Sequence, residues 1–219
     1  MSRVLCIPDL HSPFIHKRAL KFCRTINEEY SCDRVVIVGD LFDQYCFSRY
    51  AKDPDSLSPR SEIEKAKRQI HSWVEAFPSV DITYGNHDMR LFKRLRESNI
   101  PPDMFVKSYN KIFGLPDTWR WSDKITVDRV LYMHGSKAGE YSHVNIAKDL
   151  RRSVVSGHTH SSGGVHYISS YDDTIFGMNV GCLIDSNCYA FAYASEMTRQ
   201  PVLGAGVIID GFPTFIPLR

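Results

Sequence analysis

The sequence predicts an α/β fold in which buried strands end in polar motifs. Five short apolar runs, rich in Val and Ile, have the length and composition of buried strands. They cover residues 4–7, 35–38, 80–84, 130–133 and 153–156. Segments with helical spacing of apolar residues lie between several of these runs, as in folds with a largely parallel sheet. Ligands of such folds bind beyond the carboxyl ends of the strands, so we expect the functional site there.

Apolar residues at helical spacing predict four helices. They cover residues 16–30, residues 61–77, a segment that follows Asp88 and runs through Leu95, and residues 142–150. The second helix has the clearest start, because Ser61 with Glu64 three residues later forms a capping box. Pro78 ends its apolar pattern.

The pattern changes from Val165 onward, where short aromatic and β-branched segments alternate with Gly, Asp and Pro. Residues 189–193, 207–209 and 214–216 are predicted to be antiparallel strands of a second sheet. Residues 44–60 and 100–124 show no clear periodicity and are predicted to be long loops or small insertions. Within the second of these, Trp119 and Trp121 alternate around Arg120 and are interpreted as packing residues.

The composition limits the class of protein. With 219 residues and 43% hydrophobic content, we expect a single domain over residues 1–219. A net charge of +2 gives no field of one sign that would indicate a nucleic-acid or membrane partner. The six cysteines form no CxxC pair and no secretory or membrane-spanning segment is evident, so we expect a cytoplasmic protein with reduced thiols.

Five polar motifs stand directly after the predicted strands. They are Asp9-Leu10-His11, Gly39-Asp40-Leu41-Phe42-Asp43, Gly85-Asn86-His87-Asp88, His134-Gly135 and Gly157-His158-Thr159-His160. Each motif alone is weak evidence, since DxH and HG are frequent by chance and GNHD also fits an Asx-rich turn. Their carboxylate, amide and imidazole groups are all candidate metal ligands. The complete set in this order carries the prediction.

This order resembles the calcineurin-like metallophosphoesterase superfamily, whose members present DxH, GDxxD, GNH(D/E), a later His and GHxH in that sequence. The resemblance spans Asp9 to His160. It implies a four-layer αββα sandwich, with two mixed sheets flanked by helices and two metal ions at the strand ends. The implied ligands are Asp9, His11 and His160 for one ion, Asn86, His134 and His158 for the other, and Asp40 as the bridge.

The ligand chemistry agrees with that expectation. Mixed oxygen and nitrogen donors suit divalent ions; manganese is favoured, with iron, zinc, nickel, cobalt or magnesium as alternatives. A bridging carboxylate offsets the repulsion between two ions held about 3.5 to 4 Å apart. Such a pair lowers the pKa of a shared water toward roughly 7, which makes hydroxide available for in-line attack. We therefore expect a metal-dependent phosphoric ester hydrolase without a covalent protein nucleophile.

Three further residues of the motifs receive roles. His87 is not assigned to a metal in the family pattern, and it resembles the family's general acid. We expect Asp88 to hold His87 in the right tautomer and to favour its protonated form. Asp43 has two open interpretations, since it either orients a metal ligand from behind or caps the helix that follows its motif.

Basic and aromatic residues near the motifs have competing interpretations. Arg90, followed by Lys93, Arg94 and Arg96, belongs either to a positive rim that binds substrate phosphate or to a solvated helix face, which is favoured. The aromatic residues Tyr45, Phe47 and Tyr50 either stack on a nucleobase or pack beneath a loop. Four histidines outside the motifs are interpreted as surface or helix residues: His16, His71, His143 and His166.

Several substrate classes remain open. Serine/threonine protein phosphatases typically carry GDxxDRG and GNHE, whereas here Gln44 and Tyr45 follow Asp43, and Asp88 ends the later motif. GDLFD with GNHD looks more like the DNA-repair nucleases of the superfamily, so a phosphodiester, either a nucleotide or a nucleic acid, is favoured. A phosphomonoester is the alternative. A non-catalytic interaction protein that kept the fold is the alternative from another class, and the intact motifs argue against it.

Overall fold

The computed structural model describes residues 2–104, 109–136, 139–191 and 198–219. Its strands, numbered along the chain, are β1 (Arg3–Ile7), β2 (Arg34–Ile37), β3 (Val80–Thr83), β4 (Trp119–Ser122), β5 (Ile125–Val127), β6 (Val130–Tyr132), β7 (Val154–Ser156), β8 (Gly164–Ser169), β9 (Thr174–Asn179), β10 (Gly204–Ile209) and β11 (Phe212–Pro217). The α-helices are α1 (Ala19–Glu29), α2 (Pro59–Ala76), α3 (Arg90–Glu97), α4 (Tyr109–Phe113) and α5 (Ser142–Leu150).

The strands form two mixed sheets. The first has the order β11-β10-β1-β2-β3-β4, in which β1 to β4 run parallel and β10 and β11 add antiparallel strands at one side. The second has the order β5-β6-β7-β9-β8, with β6, β7 and β9 parallel and antiparallel strands at both edges. All five polar motifs follow parallel strands, namely β1, β2, β3, β6 and β7.

Alternating side chains show how the layers stack. In β1, Leu5 and Ile7 face a core shared with α1, α2 and α4, whereas Val4 and Cys6 face the second sheet. Both faces of this strand are buried, which explains why it is a continuous apolar run rather than an alternating one. On the far side, α5 packs through Ile146 onto β6 and β7. The arrangement is therefore helices, sheet, sheet, helix, which confirms the predicted αββα sandwich.

The start of α2 differs from the prediction. The helix begins at Pro59, and the Ser58 hydroxyl caps it by accepting a hydrogen bond from the Ser61 backbone N–H. The predicted capping box of Ser61 and Glu64 is therefore wrong. Proline is favoured at the first helical position because its fixed φ suits the helix and no N–H is needed there, so the Ser58-Pro59 pair sets the start.

Two predictions on the later strands are also corrected. Strands β8 and β9 belong to the second sheet as expected, but β10 and β11 join the first, because β10 pairs with the free edge of β1. A strand is predicted over residues 189–193, but residues 189–191 form a short 3-10 helix, so this part of the prediction is wrong. Residues 192 and 193 lie outside the described ranges.

The segment 100–124, predicted to be a loop, contains α4 and β4. Trp119 in β4 is fully buried, and its indole N–H donates to the Phe77 carbonyl at 2.9 Å, which confirms its packing role. The other predicted loop, residues 44–60, holds a short 3-10 helix at Tyr45–Phe47 before α2 begins. No helix among the described residues combines the length and apolar character that a membrane crossing requires.

Candidate metal centre

The loops after β1, β2, β3, β6 and β7 bring the predicted ligands together at one end of the two sheets. Three overlapping groups could each hold a metal ion, because within each group the ligand atoms lie within 4.8 Å of one another. The groups are Asp9, His11 and His160; His11, Asp40 and His87; and Asp40, His134 and His158. The amide of Asn86 joins the third group through His134. All seven predicted ligands thus lie in one cluster, although up to 151 residues separate two that touch.

The first half of the cluster is built by Asp9, His11 and His160. The Nε2 atom of His160 lies 3.0 Å from Asp9 Oδ2 and 3.2 Å from His11 Nε2. The second carboxylate oxygen of Asp9 is buried without a hydrogen-bond partner. A buried, unpaired carboxylate oxygen costs free energy unless a cation or a donor compensates it, so these residues fit a bound metal ion.

The second half is centred on His134, whose Nε2 atom faces three atoms that can donate an electron pair to a metal ion. It lies 3.1 Å from Asn86 Oδ1, 3.1 Å from His158 Nδ1 and 3.2 Å from Asp40 Oδ2. A single ring nitrogen cannot satisfy an amide oxygen, an imidazole nitrogen and a carboxylate at once. A cation among them would accept electron pairs from all four.

Asp40 lies between the two halves. Its Oδ2 atom is 3.2 Å from His134 Nε2 and 3.6 Å from His11 Nε2, so one oxygen faces both sets of ligands. Its other oxygen accepts a hydrogen bond from the His87 backbone N–H at 2.8 Å. This is the geometry that a bridging carboxylate needs.

Hydrogen bonds behind the rings fix two histidine tautomers. His11 Nδ1 donates to Asp43 Oδ2 at 2.8 Å, and His134 Nδ1 donates to the Val38 carbonyl at 3.0 Å. In both rings the Nε2 atom therefore points into the cluster, as a metal ligand requires. Burial, with the neighbouring His87, lowers the pKa of His11 to about 4 and keeps that ring neutral.

Three of the predicted ligand residues have left-handed backbone conformations. The φ angles are 50° at His11, 46° at Asp40 and 69° at His158. Each such residue costs roughly 1–3 kcal/mol and persists only where the surroundings impose it. The strain turns the side chains of these loops toward a common centre.

Glycines in the motifs make room for the carboxylates. A Cβ atom at Gly85 would overlap the Asp40 carboxylate, and one at Gly157 would overlap the Asp9 carboxylate. The motifs GNHD and GHTH therefore begin with glycine because a neighbouring ligand approaches their backbone closely.

His87 lies beside the cluster, held by Asp43 and Arg90. Its Nδ1 atom is 3.2 Å from the Asp43 carbonyl and 3.3 Å from Asp43 Oδ2, and its Nε2 atom is 3.1 Å from Arg90 Nη2. Burial lowers the pKa of His87, but the carboxylates of Asp40 and Asp43 outweigh it and leave that pKa above its ordinary value. The raised pKa favours the protonated ring, whereas the Arg90 guanidinium faces its Nε2 atom.

The expected contact between Asp88 and His87 is wrong. The Asp88 carboxylate accepts hydrogen bonds from the backbone N–H groups of Phe42 and Gly85, at 3.0 and 2.9 Å. Burial, with the nearby Asp40 charge, raises the pKa of Asp88 to about 7. Asp88 therefore ties two motif loops together.

Asp43 performs the orienting task that the sequence left open. It accepts from His11 at 2.8 Å and from Arg90 Nη1 at 3.0 Å, and the 3-10 helix that follows it has no side-chain cap. Burial raises the pKa of Asp43, but its bonds to His11 and His87 lower it well below the ordinary range. The geometry supports the first of the two interpretations of this residue.

The family model for calcineurin-like phosphoesterases matches residues 2–172. The chain belongs to the calcineurin-like phosphoesterase family. Members of the family depend on divalent metals, and the Asp and His groups of this phosphoesterase could hold such ions. A comparison with curated proteins gave no match.

Three similar solved structures are those of the Escherichia coli phosphoesterase YfcE, Vps29 of Cryptosporidium parvum and the Pseudomonas putida nuclease MPE. YfcE is 14% identical, with 94% of this chain and 88% of that chain covered and a TM-score of 0.39. Vps29 is 15% identical, with 98% of this chain and 95% of that chain covered and a TM-score of 0.45. MPE is 16% identical, with 98% of this chain and 87% of that chain covered and a TM-score of 0.40.

Other predicted residues of this calcineurin-like phosphoesterase lie at the edge of the cluster. Arg90 contacts Asp43 and His87, and Arg94 donates to the carbonyls of Phe47 and Ser48, so neither is only part of a solvated helix face. His143 is buried in α5 and bonds to His166 in β8 at 2.9 Å, away from the predicted ligands.

Two residues near the cluster carry no signal in the sequence. Glu62 in α2 is buried and accepts hydrogen bonds from the backbone of Tyr45 and Cys46, although it resembles any glutamate of an amphipathic helix. Tyr189 packs edge-on against Tyr45, with ring centroids 5.2 Å apart. Only the tertiary structure brings them beside the motifs.

Proposed function

We propose that this chain is a phosphodiesterase that depends on two divalent metal ions. The observation that supports this function best is the position of Asp40, whose one carboxylate oxygen faces His134 in one half of the cluster and His11 in the other. A dinuclear site needs such a shared ligand. Nitrogen and oxygen donors without thiolate suit several divalent ions; manganese is our first choice, with iron, zinc, nickel, cobalt or magnesium as alternatives.

The residues assigned to the ions fit them chemically. Asp9, His11 and His160 would hold one, Asn86, His134 and His158 the other. When bound, the ions supply Lewis acidity toward the phosphoryl oxygens and a nucleophilic water at neutral pH. The neutral His11 ring and the unpaired Asp9 oxygen are both ready to donate electron pairs.

The protein itself supplies the proton for the leaving group. We assign that role to His87, whose Nδ1 is held by Asp43. Arg90 covers the other nitrogen, so donation from Nε2 requires Arg90 to move. A substrate phosphate would attract the Arg90 guanidinium, because bidentate phosphate contacts are strong, and its departure would free Nε2.

Metal reconstitution tests the proposal. The metal-free protein receives Mn, Ni, Zn or Mg separately and is assayed on aryl phosphodiesters and aryl phosphomonoesters. We expect metal-dependent hydrolysis with a preference for diesters. Preference for monoesters would identify a phosphomonoesterase, and no hydrolysis with any ion would contradict the function and favour an interaction protein.

Asp40→Asn is the decisive variant. Removing the bridging charge should abolish hydrolysis and reduce the number of metal ions retained, because the repulsion between two cations is no longer offset. Asp172→Asn, at an exposed position after β8, is the matched control and should behave as the native protein does. Turnover and bound metal are measured on the same preparations; normal turnover in Asp40→Asn would rule out the proposed cluster.

A further inference from the structure

Two clefts adjoin the predicted metal ligands on the side of His87. The first, of about 740 Å³, is lined by three tyrosines together with Lys52, Asp53, Asn86, His87 and Arg90. The second, of about 410 Å³, is lined by the cations Arg49, Arg90, Lys93 and Arg94. Both share Asn86 and Arg90, so they meet beside a predicted ligand.

Tyrosine rings form the wall of the first cleft. Tyr45 and Tyr189 pack edge-on, and their hydroxyls accept hydrogen bonds from the backbone of Asp53 and Leu57 at 3.0 and 3.2 Å. The hydroxyls thus hold the chain that covers the cleft. Tyr50 differs, because 83% of it is exposed at the junction of the two clefts.

A buried carboxylate fixes this wall in place. Glu62 is 2% exposed and accepts hydrogen bonds from the backbone N–H groups of Tyr45 and Cys46 at 2.7 and 2.8 Å. Burying a carboxylate is costly unless it is well bonded, and here both oxygens are used. The Tyr45 backbone is therefore held by Glu62 and its ring by Tyr189 and Asp53, which suits a surface on which a flat group stacks.

Cations line the second cleft, and three of them pair with carboxylates outside its lining: Arg49 and Arg94 with Glu97, and Arg90 with Asp43. Its described lining contains four cations and no carboxylate. Arg90 and Arg94 donate hydrogen bonds to the carbonyls of Asp43, Phe47 and Ser48, while Lys93 is exposed at the surface. Such a groove follows a chain of phosphates rather than one isolated charge.

We propose that the joined clefts bind single-stranded nucleic acid across the metal centre, with a base on the tyrosines and neighbouring phosphates along Lys93 and Arg94. The placement of the cleaved phosphate at the ligands rests on the proposed function. A mononucleotide would occupy only the first cleft. The bases of a duplex stack on one another and are not available to tyrosine rings, whereas aromatic platforms beside a cationic groove are typical of single-strand binding.

Binding tests the inference on the manganese-loaded protein. The probe is a fluorescein-labelled phosphorothioate oligothymidylate of about eight nucleotides, within the usual site sizes of single-strand binding modules. Fluorescence anisotropy should show tighter binding of the single strand than of the same strand in a duplex. Equal or tighter binding of the duplex would overturn the proposal.

Two variants separate stacking from charge. Tyr50→Leu should weaken binding of the single strand roughly 5- to 100-fold, the loss that accompanies removal of one stacking ring. Lys93→Gln should make the slope of log K against log[salt] shallower by about 0.7, the contribution of one phosphate contact on a single strand. Such a change in slope would not follow from a merely structural role.

The matched controls are Tyr171→Leu, at a fully exposed tyrosine after β8, and Lys148→Gln on α5. Both should bind the oligonucleotide as the native protein does. If Tyr50→Leu and Lys93→Gln behave like these controls, the proposal is wrong. Hydrolysis of a small aryl diester by the same native protein reports the proposed function separately, since that substrate does not need the joined clefts.

Discussion

Individual side chains in the cluster are placed by partners far away in sequence. His11 is oriented by Asp43, 32 residues later, and His158 donates its backbone N–H to Asp9. That the proposed ligands lie together could be predicted, because residue type and motif order carry that information. Their supporting contacts could not be, and for this reason Asp88 was wrongly expected to hold His87.

The role of His87 gives a prediction at this scale. Loss of a positioned acid typically costs about 10²- to 10⁴-fold in rate, so His87→Ala should lose that much on diesters with poor leaving groups. Activated aryl diesters, whose leaving groups need no proton, should lose far less. Turnover is measured on both substrate classes.

The number of metal ions bound by a His87 variant shows whether His87 is a proton donor or a metal ligand. One nitrogen of His87 lies within 4.8 Å of ligand atoms of His11 and Asp40, so the geometry also admits it as a ligand. We expect His87→Ala to keep two ions per chain. The exposed helix residue His71 supplies the matched variant, His71→Ala. If His87→Ala loses an ion and His71→Ala does not, His87 is a metal ligand rather than an acid.

At the scale of elements, local pattern predicted four helices and the five strands that precede the motifs well, and it missed α4 and β4 and placed the later strands poorly. The runs around β1, β2, β6 and β7 are mainly apolar because both faces of these strands are buried, whereas β3 also carries Asp81, which pairs with Arg34 and Arg120. Strand β10 was assigned to the wrong sheet because its partner, β1, lies some 200 residues earlier, and no local feature encodes that pairing. Helix α4 is only five residues long, too short for a periodic signal.

The corrected start of α2 is testable by mutation. Ser58→Ala should lower the free energy of unfolding by about 0.5–2 kcal/mol, because a capping hydroxyl is lost. Glu64→Gln should lower it by less than about 0.5 kcal/mol, since Glu64 makes only an exposed ion pair with Lys67. Urea denaturation of both variants measures the difference. A larger loss in Glu64→Gln would restore the capping box.

The contact between α5 and β8 predicts a dependence of stability on pH. Burial, with the neighbouring His166, lowers the pKa of His143 to about 4 from an ordinary value of 6.5. Between these values the unfolded chain binds more protons than the folded chain, so the free energy of unfolding decreases as pH falls through this window. At pH values well above 6.5, His143 is neutral in both the folded and the unfolded chain, and this loss of stability is absent.

His143→Gln removes this titrating group. The variant should lose less stability than the native protein when the pH falls from 6.5 to about 4, as measured by urea denaturation of the metal-free proteins. The exposed His71 is the control position, and His71→Gln should follow the native profile. An unchanged profile in His143→Gln would show that its burial does not govern the acid response.

For the molecule as a whole, the cluster joins the two sheets. The first sheet supplies Asp9, His11, Asp40 and Asn86, and the second supplies His134, His158 and His160. Two layers that meet mainly through the apolar residues between them thus share a polar centre at one end. Metal ions bound there would favour the folded chain, since an ion that binds only the folded state adds its binding free energy to stability.

The most direct measurement is anomalous diffraction from crystals of the manganese-loaded protein. Two peaks are predicted about 3.5 to 4 Å apart, one beside Asp9 and His160, the other beside Asn86 and His158, with Asp40 between them. A single peak, or peaks bound away from these side chains, would contradict the dinuclear site.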